Sequence, residues 1–358
     1  MINVAIADDS PFTCRLLASY LEEGGECRVV GMAHDTASTL ALLRDATPDV
    51  LTLDLQMPGG DGLDLLRQLA EAPPVSVVVI SGVTRLAAAT TLRALELGAV
   101  DFVLKYTPGA PVSRASLKRE IVAKVKAAAA ARPERRQAEA PIASVDATTD
   151  AVPRRTVAPR APGRTPATAP NVGGVVVIGA STGGPSAVGE LMHQLTEDFA
   201  LPCVIVQHLP APFTAAFAAQ LQRRARVDVR VAAAGDRLEA GIALVAPGAV
   251  HLVIRDDGRV LLQAPAEKDF YRPSIDLAMT SAAESFGASA VGVVLTGIGN
   301  DGAEGLRRIR AAGGEGVVQD AASCIVPSMP ERALQRAGAD LVATPQRIGQ
   351  WLAARRSA

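Results

Sequence analysis

The sequence predicts a protein of the α/β class, with two doubly wound parallel sheets joined by a linker. In both halves of the chain, short apolar stretches alternate with helical patterns of period 3.6, as repeated βα units do. Between the halves, residues 132–172 are rich in Ala, Pro, Arg and Thr and contain almost no large apolar side chain. Such a segment cannot bury enough surface to fold, so we expect a semi-extended linker between two domains.

The first half, residues 1–130, reads as five βα units. Apolar strands are expected at 2–7, 27–32, 49–54, 75–80 and 100–104, and a closing helix at 113–130. In a flavodoxin-like (βα)5 sheet the first and third strands are neighbours, which brings Asp8, Asp9 and Asp54 to one edge. Three carboxylates in one pocket repel each other, and the usual remedy is a hard divalent cation with oxygen ligands, such as Mg2+.

Two further polar residues end strands at the same edge, Ser81 on the fourth and Lys105 on the fifth. A carboxylate nucleophile, a cation, a hydroxyl and a lysine are the parts that accept and hold a phosphoryl group. Singly, each has an ordinary explanation, because aspartates often cap helices and a lysine at a strand end is usually a solvated charge. Together they favour phosphoryl transfer to this domain.

The second half, residues 173–358, follows a linker placed at 131–172 and resumes the alternation of strands and helices. We expect strands at 175–179, 203–207, 260–263, 290–295, 315–319 and 340–343, and a short strand pair near 243–246 and 250–254. A DNA-binding output domain would instead be a short, basic helix-turn-helix unit. The length, balanced charge and α/β pattern of this segment argue against that alternative.

A serine stands on a tight turn directly after the strand at 175–178. The stretch Gly179-Ala180-Ser181-Thr182-Gly183-Gly184-Pro185 has the small residues of a nucleophile elbow, in which a strained turn lifts the serine oxygen out of the backbone. Pro185 suits the first turn of a following helix, whose free N–H groups would favour an oxyanion beside Ser181. The turn alone is equally compatible with a phosphate-cradling loop of a dinucleotide fold.

The next strands separate these two interpretations. A dinucleotide fold would place an acidic residue about 20 residues further on, whereas the strand at 203–206 ends in Gln207 and His208. A third strand at 290–295 runs into a glycine-rich loop that contains Asp301. Ser181, His208 and Asp301 therefore all follow carboxyl ends of parallel strands, and they supply a nucleophile, a base and a carboxylate that orients the base.

The other three histidines are weaker candidates for the base. His34 lies in the first domain, and His193 lies in the helix after Ser181, where a surface position is expected. His251 enters a strand, where its ring is expected to be structural. His208 is therefore the predicted general base.

These motifs resemble those of the CheB family of chemotaxis protein-glutamate methylesterases. The resemblance is carried by G-A-S-T-G-G at 179–184, Q-H at 207–208 and T-G-I-G-N-D-G at 296–302, and it extends over both halves of the chain. It implies hydrolysis of glutamyl methyl esters on methyl-accepting chemoreceptors, with glutamine deamidation as a second activity and no cofactor at the esterase site. It also implies an oxyanion hole from N–H groups at Thr182 and Ile298.

The first domain resembles a response-regulator receiver, with Asp54 as the phosphoacceptor. The resemblance implies that Asp9, Asp54 and the backbone carbonyl of Gln56 hold Mg2+, with Asp8 contacting the ion's ligands or reaching the ion through water. Ser81 and Lys105 would contact the phosphoryl group. The implied phosphoryl donor is a CheA-like histidine kinase.

The chain departs from the family patterns at a few positions. Tyr106 stands where receivers typically have proline, and Gln56 stands where the methylesterases commonly have glutamate. Ile298 replaces a methionine, which leaves its backbone N–H available. Pro327-Ser328 stands before Met329-Pro330 where an aromatic residue and glycine are typical, which affects the expected substrate surface. Arg272-Pro273-Ser274-Ile275-Asp276 matches an R-P-S-x-D segment that is expected to shape the substrate cleft without a catalytic role.

Composition narrows the class of function further. The net charge of −1 favours neither nucleic acid nor a membrane surface as partner. No apolar run approaches membrane-spanning length, and residues 1–9 read as a strand ending in acids, so we expect a cytoplasmic protein without membrane insertion. The four cysteines lack metal-ligand spacing and are expected to be buried thiols. One other class stays open, a phosphorylation-gated binding protein whose serine site is vestigial.

Overall fold

The computed structural model describes residues 1–70, 75–82, 84–105, 114–131 and 173–355. Within them the chain forms two parallel sheets flanked by helices and one small antiparallel hairpin, which confirms the predicted α/β class. Tyr106 and residues 132–172 of the predicted linker lie outside the described residues. In the part of the chain that is described, no helix is both long and apolar enough to cross a membrane.

The first sheet has five parallel strands. The strands are β1 (Ile2–Ala7), β2 (Cys27–Ala33), β3 (Val50–Asp54), β4 (Ser76–Ser81) and β5 (Asp101–Leu104). The helices are α1 (Pro11–Glu22), α2 (Thr36–Ala46), α3 (Gly62–Ala70), α4 (Arg85–Glu96) and α5 (Arg114–Ala130). The strand order is β2-β1-β3-β4-β5, so β1 and β3 are neighbours as predicted.

Local sequence fixes where several of these helices begin. The Ser10 side chain accepts a hydrogen bond from Thr13 N at the start of α1, and Thr84 caps α4 by accepting from Ala87 N. Asp35 and Ser38 form a reciprocal capping box at the start of α2. These caps satisfy N–H groups that the first helical turn leaves free, so each strand-to-helix turn ends at a defined residue.

The second sheet has seven parallel strands. They are β6 (Val175–Ala180), β7 (Cys203–Gln207), β8 (Asp228–Val231), β9 (Ile242–Val245), β12 (Ala290–Val294), β13 (Glu315–Gln319) and β14 (Leu341–Ala343). A separate hairpin pairs β10 (His251–Ile254) with β11 (Val260–Gln263). The helices are α6 (Gly184–His193), α7 (Ala211–Arg224), α8 (Ile275–Phe286), α9 (Ala303–Ala311), α10 (Ser328–Ala337) and α11 (Pro345–Ala353). The strand order is β14-β13-β12-β6-β7-β9-β8.

Both faces of the central strands β6, β7 and β12 are buried, which explains why these strands are apolar without a polar alternation. Val175 and Val177 of β6 point into a cluster that contains α8 and α9 residues such as Met279 and Leu306. Val176 and Ile178 point to the other face. Because strand side chains alternate, one continuous apolar run serves two helix layers.

Two details of the second domain differ from the sequence prediction. The segments near 243–246 and 250–254 are not paired with each other, since β9 joins the large sheet beside β7 whereas β10 pairs with β11. The edge strand β8 was not predicted. It is only four residues long, and its Asp228 and Arg230 are exposed, so it carries little of the apolar signal on which the prediction depended.

The two domains pack against each other through β5, α4 and α7. The rings of Phe102 on β5 and Phe213 on α7 stack with centroids 4.4 Å apart, and both are buried. Gln220 Nε2 on α7 donates to Glu96 Oε1 on α4 at 2.8 Å, and Arg224 Nε lies 3.8 Å from the same oxygen. One apolar cluster therefore runs from the first domain into the second.

Candidate active site

The candidate site lies where three neighbouring strands end. In the order β12-β6-β7, the central strand β6 leads to Ser181, β7 leads to His208, and the loop after β12 leads to Asp301. The chain leaves β6 toward β7 on one side and returns to β12 on the other. Such a reversal of strand order opens a crevice at the carboxyl edge of an open sheet, where ligands commonly bind.

Hydrogen bonds hold the Ser181 turn to both neighbouring strands. Ser181 N donates to Thr296 O at 3.0 Å, and Ser181 O accepts from Gln207 Nε2 at 2.8 Å. Gly183 has φ 76°, a left-handed conformation that favours glycine, and α6 begins directly after it with Pro185 in its first turn. The backbone around the half-buried Ser181 is therefore fixed from two sides.

The neighbouring Gly297 has to lack a side chain for this turn to fit. A Cβ added to Gly297 would lie 2.6 Å from Ser181 Cβ and 2.3 Å from Met329 Sδ. Gly184 is similarly confined, since its Cβ would lie 2.0 Å from Gln207 Oε1. The glycines of the two loops thus let the serine turn and the loop after β12 approach closely.

His208 and Asp301 form a hydrogen-bonded pair. His208 Nε2 lies 2.9 Å from Asp301 Oδ2, and His208 N donates to Ala180 O at 3.0 Å. Asp301 also accepts from Ile275 N at 2.7 Å and Asp276 N at 2.9 Å, the first N–H groups of α8. Burial favours the neutral acid, but the bond to His208 and these N–H groups outweigh it and lower the pKa of Asp301. Asp301 is therefore held as a carboxylate.

Ser181 is close to this pair in the fold but is not joined to it by a hydrogen bond. Among the described residues, neither Ser181 Oγ nor His208 Nδ1 has a hydrogen-bond partner. Because Nε2 is directed to Asp301, Nδ1 is the nitrogen left for the serine proton. Catalytic hydrogen bonds are often long or poorly aligned before substrate binds.

Two backbone N–H groups beside Ser181 are free to receive an anion. Within the described ranges, no acceptor is found for the N–H of Thr182 or of Ile298. Thr182 directly precedes Gly183, the N-cap of α6, and the Ile298 loop is held by the bonds Gly297 N to Val326 O and Met329 N to Gly297 O. The predicted oxyanion donors are therefore both available.

The other histidines have contacts outside the Ser181 pocket. His251 is buried, accepts from Ser274 N at Nδ1 and contacts Asp269 Oδ2 through Nε2 at 3.0 Å. An Nδ1 that accepts leaves the proton on Nε2, so the ring donates to Asp269. His193 is exposed, as expected, and His34 Nδ1 lies 2.9 Å from Asp8 O in the first domain.

The predicted phosphoryl site lies at the carboxyl edge of the first sheet. Asp8, Asp9 and Asp54 have carboxylate oxygens within 4.8 Å of one another. Lys105 Nζ lies 2.6 Å from Asp54 Oδ2 and 3.0 Å from Asp8 Oδ2. Burial raises the pKa of Asp54, although the bond to Lys105 opposes this shift. Ser81 is buried nearby, but its hydroxyl contacts Thr91 Oγ1 at 2.6 Å and not the carboxylates.

A cavity of about 380 Å³ opens beside Asp301. Ser274 and Asp276 of the predicted cleft segment line it, together with His251, Asp269, Phe270, Tyr271, Leu277 and Thr280. Asp276 accepts from Gly302 N at 2.9 Å and Gly305 N at 2.7 Å. Burial, with the nearby Asp301 charge adding to it, raises the pKa of Asp276 to about 6.

Sequence reasoning missed some residues that contact the site. The Tyr271 ring stacks on His208, and Asp101 of the first domain accepts a hydrogen bond from Thr182 Oγ1. Neither follows a strand of the second domain, so the rule that located the other residues could not find them. Gln207 was noted only as the neighbour of His208, although its side chain holds the Ser181 carbonyl.

Two family models match the chain. The CheB methylesterase model matches residues 176–352, and the response regulator receiver domain model matches residues 4–115. The first match includes the Ser181, His208 and Asp301 cluster, and the second includes the carboxylates at 8, 9 and 54.

Curated relatives match over nearly the whole chain. A protein of Koribacter versatilis named protein-glutamate methylesterase/protein-glutamine glutaminase 2 is 38% identical over 345 residues, which cover 95% of this chain and 92% of that protein. A protein of Anaeromyxobacter dehalogenans with the same name and the number 5 is 39% identical and covers 95% and 93%. The crystal structure of the Thermotoga maritima CheB methylesterase catalytic domain matches with 32% identity and a TM-score of 0.48, covering 50% of this chain and 96% of that one.

We predict that Asp276→Asn weakens the pH dependence of stability. The pKa of Asp276 rises from 3.8 to about 6 on folding, so the folded chain binds this proton more tightly than the unfolded chain. The resulting stability is full below about pH 4 and is lost as the pH rises through about 6. Thermal melts from about pH 4 to 7 should therefore show Tm shifting in favour of the variant as the pH rises. Asp257→Asn, on an exposed turn, controls for loss of one carboxylate, and a pH-independent difference for Asp276→Asn would contradict the prediction.

Proposed function

The chain belongs to the CheB methylesterase family and carries a response regulator receiver domain, and on this premise we propose that it is a phosphorylation-activated protein-glutamate methylesterase. Its substrates are glutamyl methyl esters on the helical cytoplasmic region of a methyl-accepting chemoreceptor, and it deamidates glutaminyl side chains at the same site. The names of its relatives support this substrate class. The observation that carries the proposal is Ser181 on a fixed turn beside a His208–Asp301 pair and two free N–H groups.

The reaction begins with attack of Ser181 on the ester. His208 accepts the hydroxyl proton at Nδ1 while Ser181 Oγ forms a bond to the γ-carbonyl carbon of the substrate. The carbonyl oxygen becomes an oxyanion, which the N–H groups of Thr182 and Ile298 stabilise. Their lack of other acceptors supports this role, because they need no rearrangement when charge develops.

The tetrahedral intermediate then collapses to an acyl-enzyme. His208 donates its proton to the methoxy oxygen, the carbon–oxygen bond breaks and methanol leaves. Water attacks the acyl carbon in the second half, with His208 again as base, and Ser181 is regenerated with a glutamate product. For a glutaminyl substrate the same steps release ammonia.

Asp301 holds His208 in the tautomer that these steps require. Its low pKa keeps it ionised, so it accepts a hydrogen bond from Nε2–H and leaves Nδ1 free to accept a proton. The carboxylate also stabilises the imidazolium that forms during attack. The two α8 N–H groups fix the carboxylate while it does so.

The receiver accepts a phosphoryl group on Asp54 from a CheA-like histidine kinase in the cytoplasm. Asp9, Asp54 and the Gln56 carbonyl would hold Mg2+, with Asp8 beside them; the fit is supported by the carboxylate oxygens of Asp8, Asp9 and Asp54, which lie within 4.8 Å of one another. When bound, the cation neutralises charge on the carboxylates and the incoming phosphoryl oxygens. Lys105 is already paired with Asp54, and Ser81 lies nearby to contact the phosphoryl group.

Unphosphorylated, the receiver acts as a lid on the ester site. Asp101, at the start of β5, accepts a hydrogen bond from the Thr182 hydroxyl, next to Ser181. Ile325 of the second domain packs against the receiver core, and a Cβ at the Gly183 position would touch it. These contacts support a receiver that blocks a bulky helical substrate. Phosphorylation of Asp54 would favour a receiver surface that fits less well, a coupling typically worth about 1–3 kcal/mol.

We predict that Ser181→Ala and His208→Ala each reduce methanol release from methylated receptor membranes by about 10³-fold or more. The double variant should lose little beyond either single change, because the two side chains act in the same proton-transfer step. Near-native turnover by Ser181→Ala would exclude the acyl-enzyme mechanism. An inactive Ser181→Ala variant does not by itself distinguish an enzyme from a phosphorylation-gated binding protein. Methanol release by the wild type is the deciding control, because a binding protein with a vestigial serine site would release none.

Asp54→Asn should abolish Mg2+-dependent labelling by a small phosphodonor such as acetyl phosphate. Basal hydrolysis should persist, because the phosphoacceptor and Ser181 belong to separate domains. Labelling is measured by intact-protein mass spectrometry, with Asp64→Asn on exposed α3 as the matched control. If Asp54→Asn is labelled as well as the wild type, the acceptor lies elsewhere, and Asp9 is the first residue to test.

Glu96→Arg should raise the basal activity of the unphosphorylated full chain on receptor. The new charge would face Arg224 and lose the Gln220 bond, which destabilises the docked receiver without altering either site. We expect an increase of roughly 5- to 30-fold, toward the level of a fragment beginning near Pro170. A small soluble ester should respond less, since the lid acts through access. Glu26→Arg, on the far side of the receiver, is the control, and equal basal rates for both variants would contradict the lid.

A further inference from the structure

Tyr271 covers one face of the candidate base. The rings of Tyr271 and His208 lie 5.0 Å apart between centroids and are inclined by only 12°. The Tyr271 hydroxyl donates to Asn300 Oδ1 at 3.2 Å and accepts from Asn300 N at 3.3 Å. Asn300 precedes Asp301, so this one side chain contacts both the base and the loop that carries the carboxylate.

The Tyr271 ring is closely confined by its neighbours. A Cβ at Gly299 would lie 2.1 Å from the Tyr271 oxygen, so the loop after β12 passes directly over the hydroxyl. The Phe270 ring packs edge-on against Tyr271, with centroids 4.9 Å apart at 87°. Aromatic neighbours in stacked and edge-on arrangements restrain each other's orientation.

The segment that carries Tyr271 is clamped at both ends. His251 contacts Asp269 at one end, and accepts from Ser274 N at the other. The Arg272 guanidinium donates to the carbonyl oxygens of Ala266, Glu267 and Asp269. The buried ring of His251 thus fixes the ends of a short segment whose middle presents Tyr271 to His208.

We propose that Tyr271 is a positioning residue for ester hydrolysis, holding the His208 imidazole so that Nε2 meets Asp301 while Nδ1 faces Ser181. The inference rests on the proposed function of Ser181, His208 and Asp301. A ring with one side-chain hydrogen bond can still swing about that bond, and Ser181 supplies no second bond in the free protein. The Tyr271 stack supplies the missing restraint, because rotation of the imidazole would break the parallel contact.

The test compares two kinds of substitution in the full-length chain. Tyr271→Leu and Tyr271→Met remove the aromatic face, whereas Tyr271→Phe keeps it and removes only the bonds to Asn300. With a small soluble glutamyl methyl ester, kcat should fall on the order of 10- to 100-fold in the two aliphatic variants with KM nearly unchanged. Tyr271→Phe should stay within about threefold of the wild type. Phe12→Leu, at an exposed ring on α1 of the first domain, is the matched control.

A second measurement does not depend on activity. The His208 Nε2 proton, bonded to Asp301, should give a downfield proton resonance that is absent from His208→Ala. That resonance should broaden or vanish in Tyr271→Leu and Tyr271→Met and persist in Tyr271→Phe. Two non-aromatic variants guard against misfolding of one of them, which circular dichroism would reveal.

The outcomes separate this inference from the proposed function. Folded aliphatic variants with wild-type kcat and an unchanged resonance would overturn the positioning role, as would a Tyr271→Phe variant as impaired as Tyr271→Leu. A wild type that releases no methanol while the resonance still depends on the Tyr271 ring would overturn the proposed function and support the structural role of the ring.

Discussion

The candidate active site depends on how one buried carboxylate is solvated. Asp301 is only 1% exposed, and an ionised group in such a place is unfavourable unless protein groups replace water. Four do so here: the His208 ring, the Ser274 hydroxyl and the first two N–H groups of α8, whose helix dipole also favours an anion. The same bonds tie the loop after β12 to α8 and to the end of β7. The hydrogen bonds that compensate the charge of Asp301 therefore also fix the geometry of the candidate active site.

Much of the fold and of the candidate site could be predicted from the sequence, because parallel strands all end at the same edge of their sheet. Residues that follow strand ends must meet at one edge, so Ser181, His208 and Asp301 could be grouped without knowing the strand order. The same rule grouped Asp8, Asp9 and Asp54. The central strands could be located because burial on both faces makes each of them a continuous apolar run in the sequence.

The rest depended on contacts that no periodicity encodes. Tyr271 reaches His208 from an irregular segment, and its orientation is decided by the His251 clamp, which spans more than 20 residues of chain. The contact of Asp101 with Thr182 exists only because two domains dock, and docking leaves no pattern in either domain's own alternation. The short strand β8 escaped notice since an edge strand buries one face and exposes the other. Features that depend on tertiary packing could not be predicted from local sequence.

The interface between the domains combines a modest apolar contact with a few polar ones. An aromatic stack such as that of Phe102 on Phe213 contributes about 0.5–1.5 kcal/mol beyond its buried area. The bonds from Gln220 to Glu96 and from Thr182 to Asp101 add specificity. The interface is therefore built from stacked aromatic rings and a small set of polar contacts at defined residues.

Strand β5 lies between the candidate phosphoryl site of the first domain and a contact with the second domain. It is four residues long, about 13 Å at the usual rise per residue. Asp101 at its beginning touches Thr182, and Lys105 directly after its end is paired with Asp54. The carboxylate that contacts Thr182 and the lysine that pairs with Asp54 are therefore separated by the length of a single short strand.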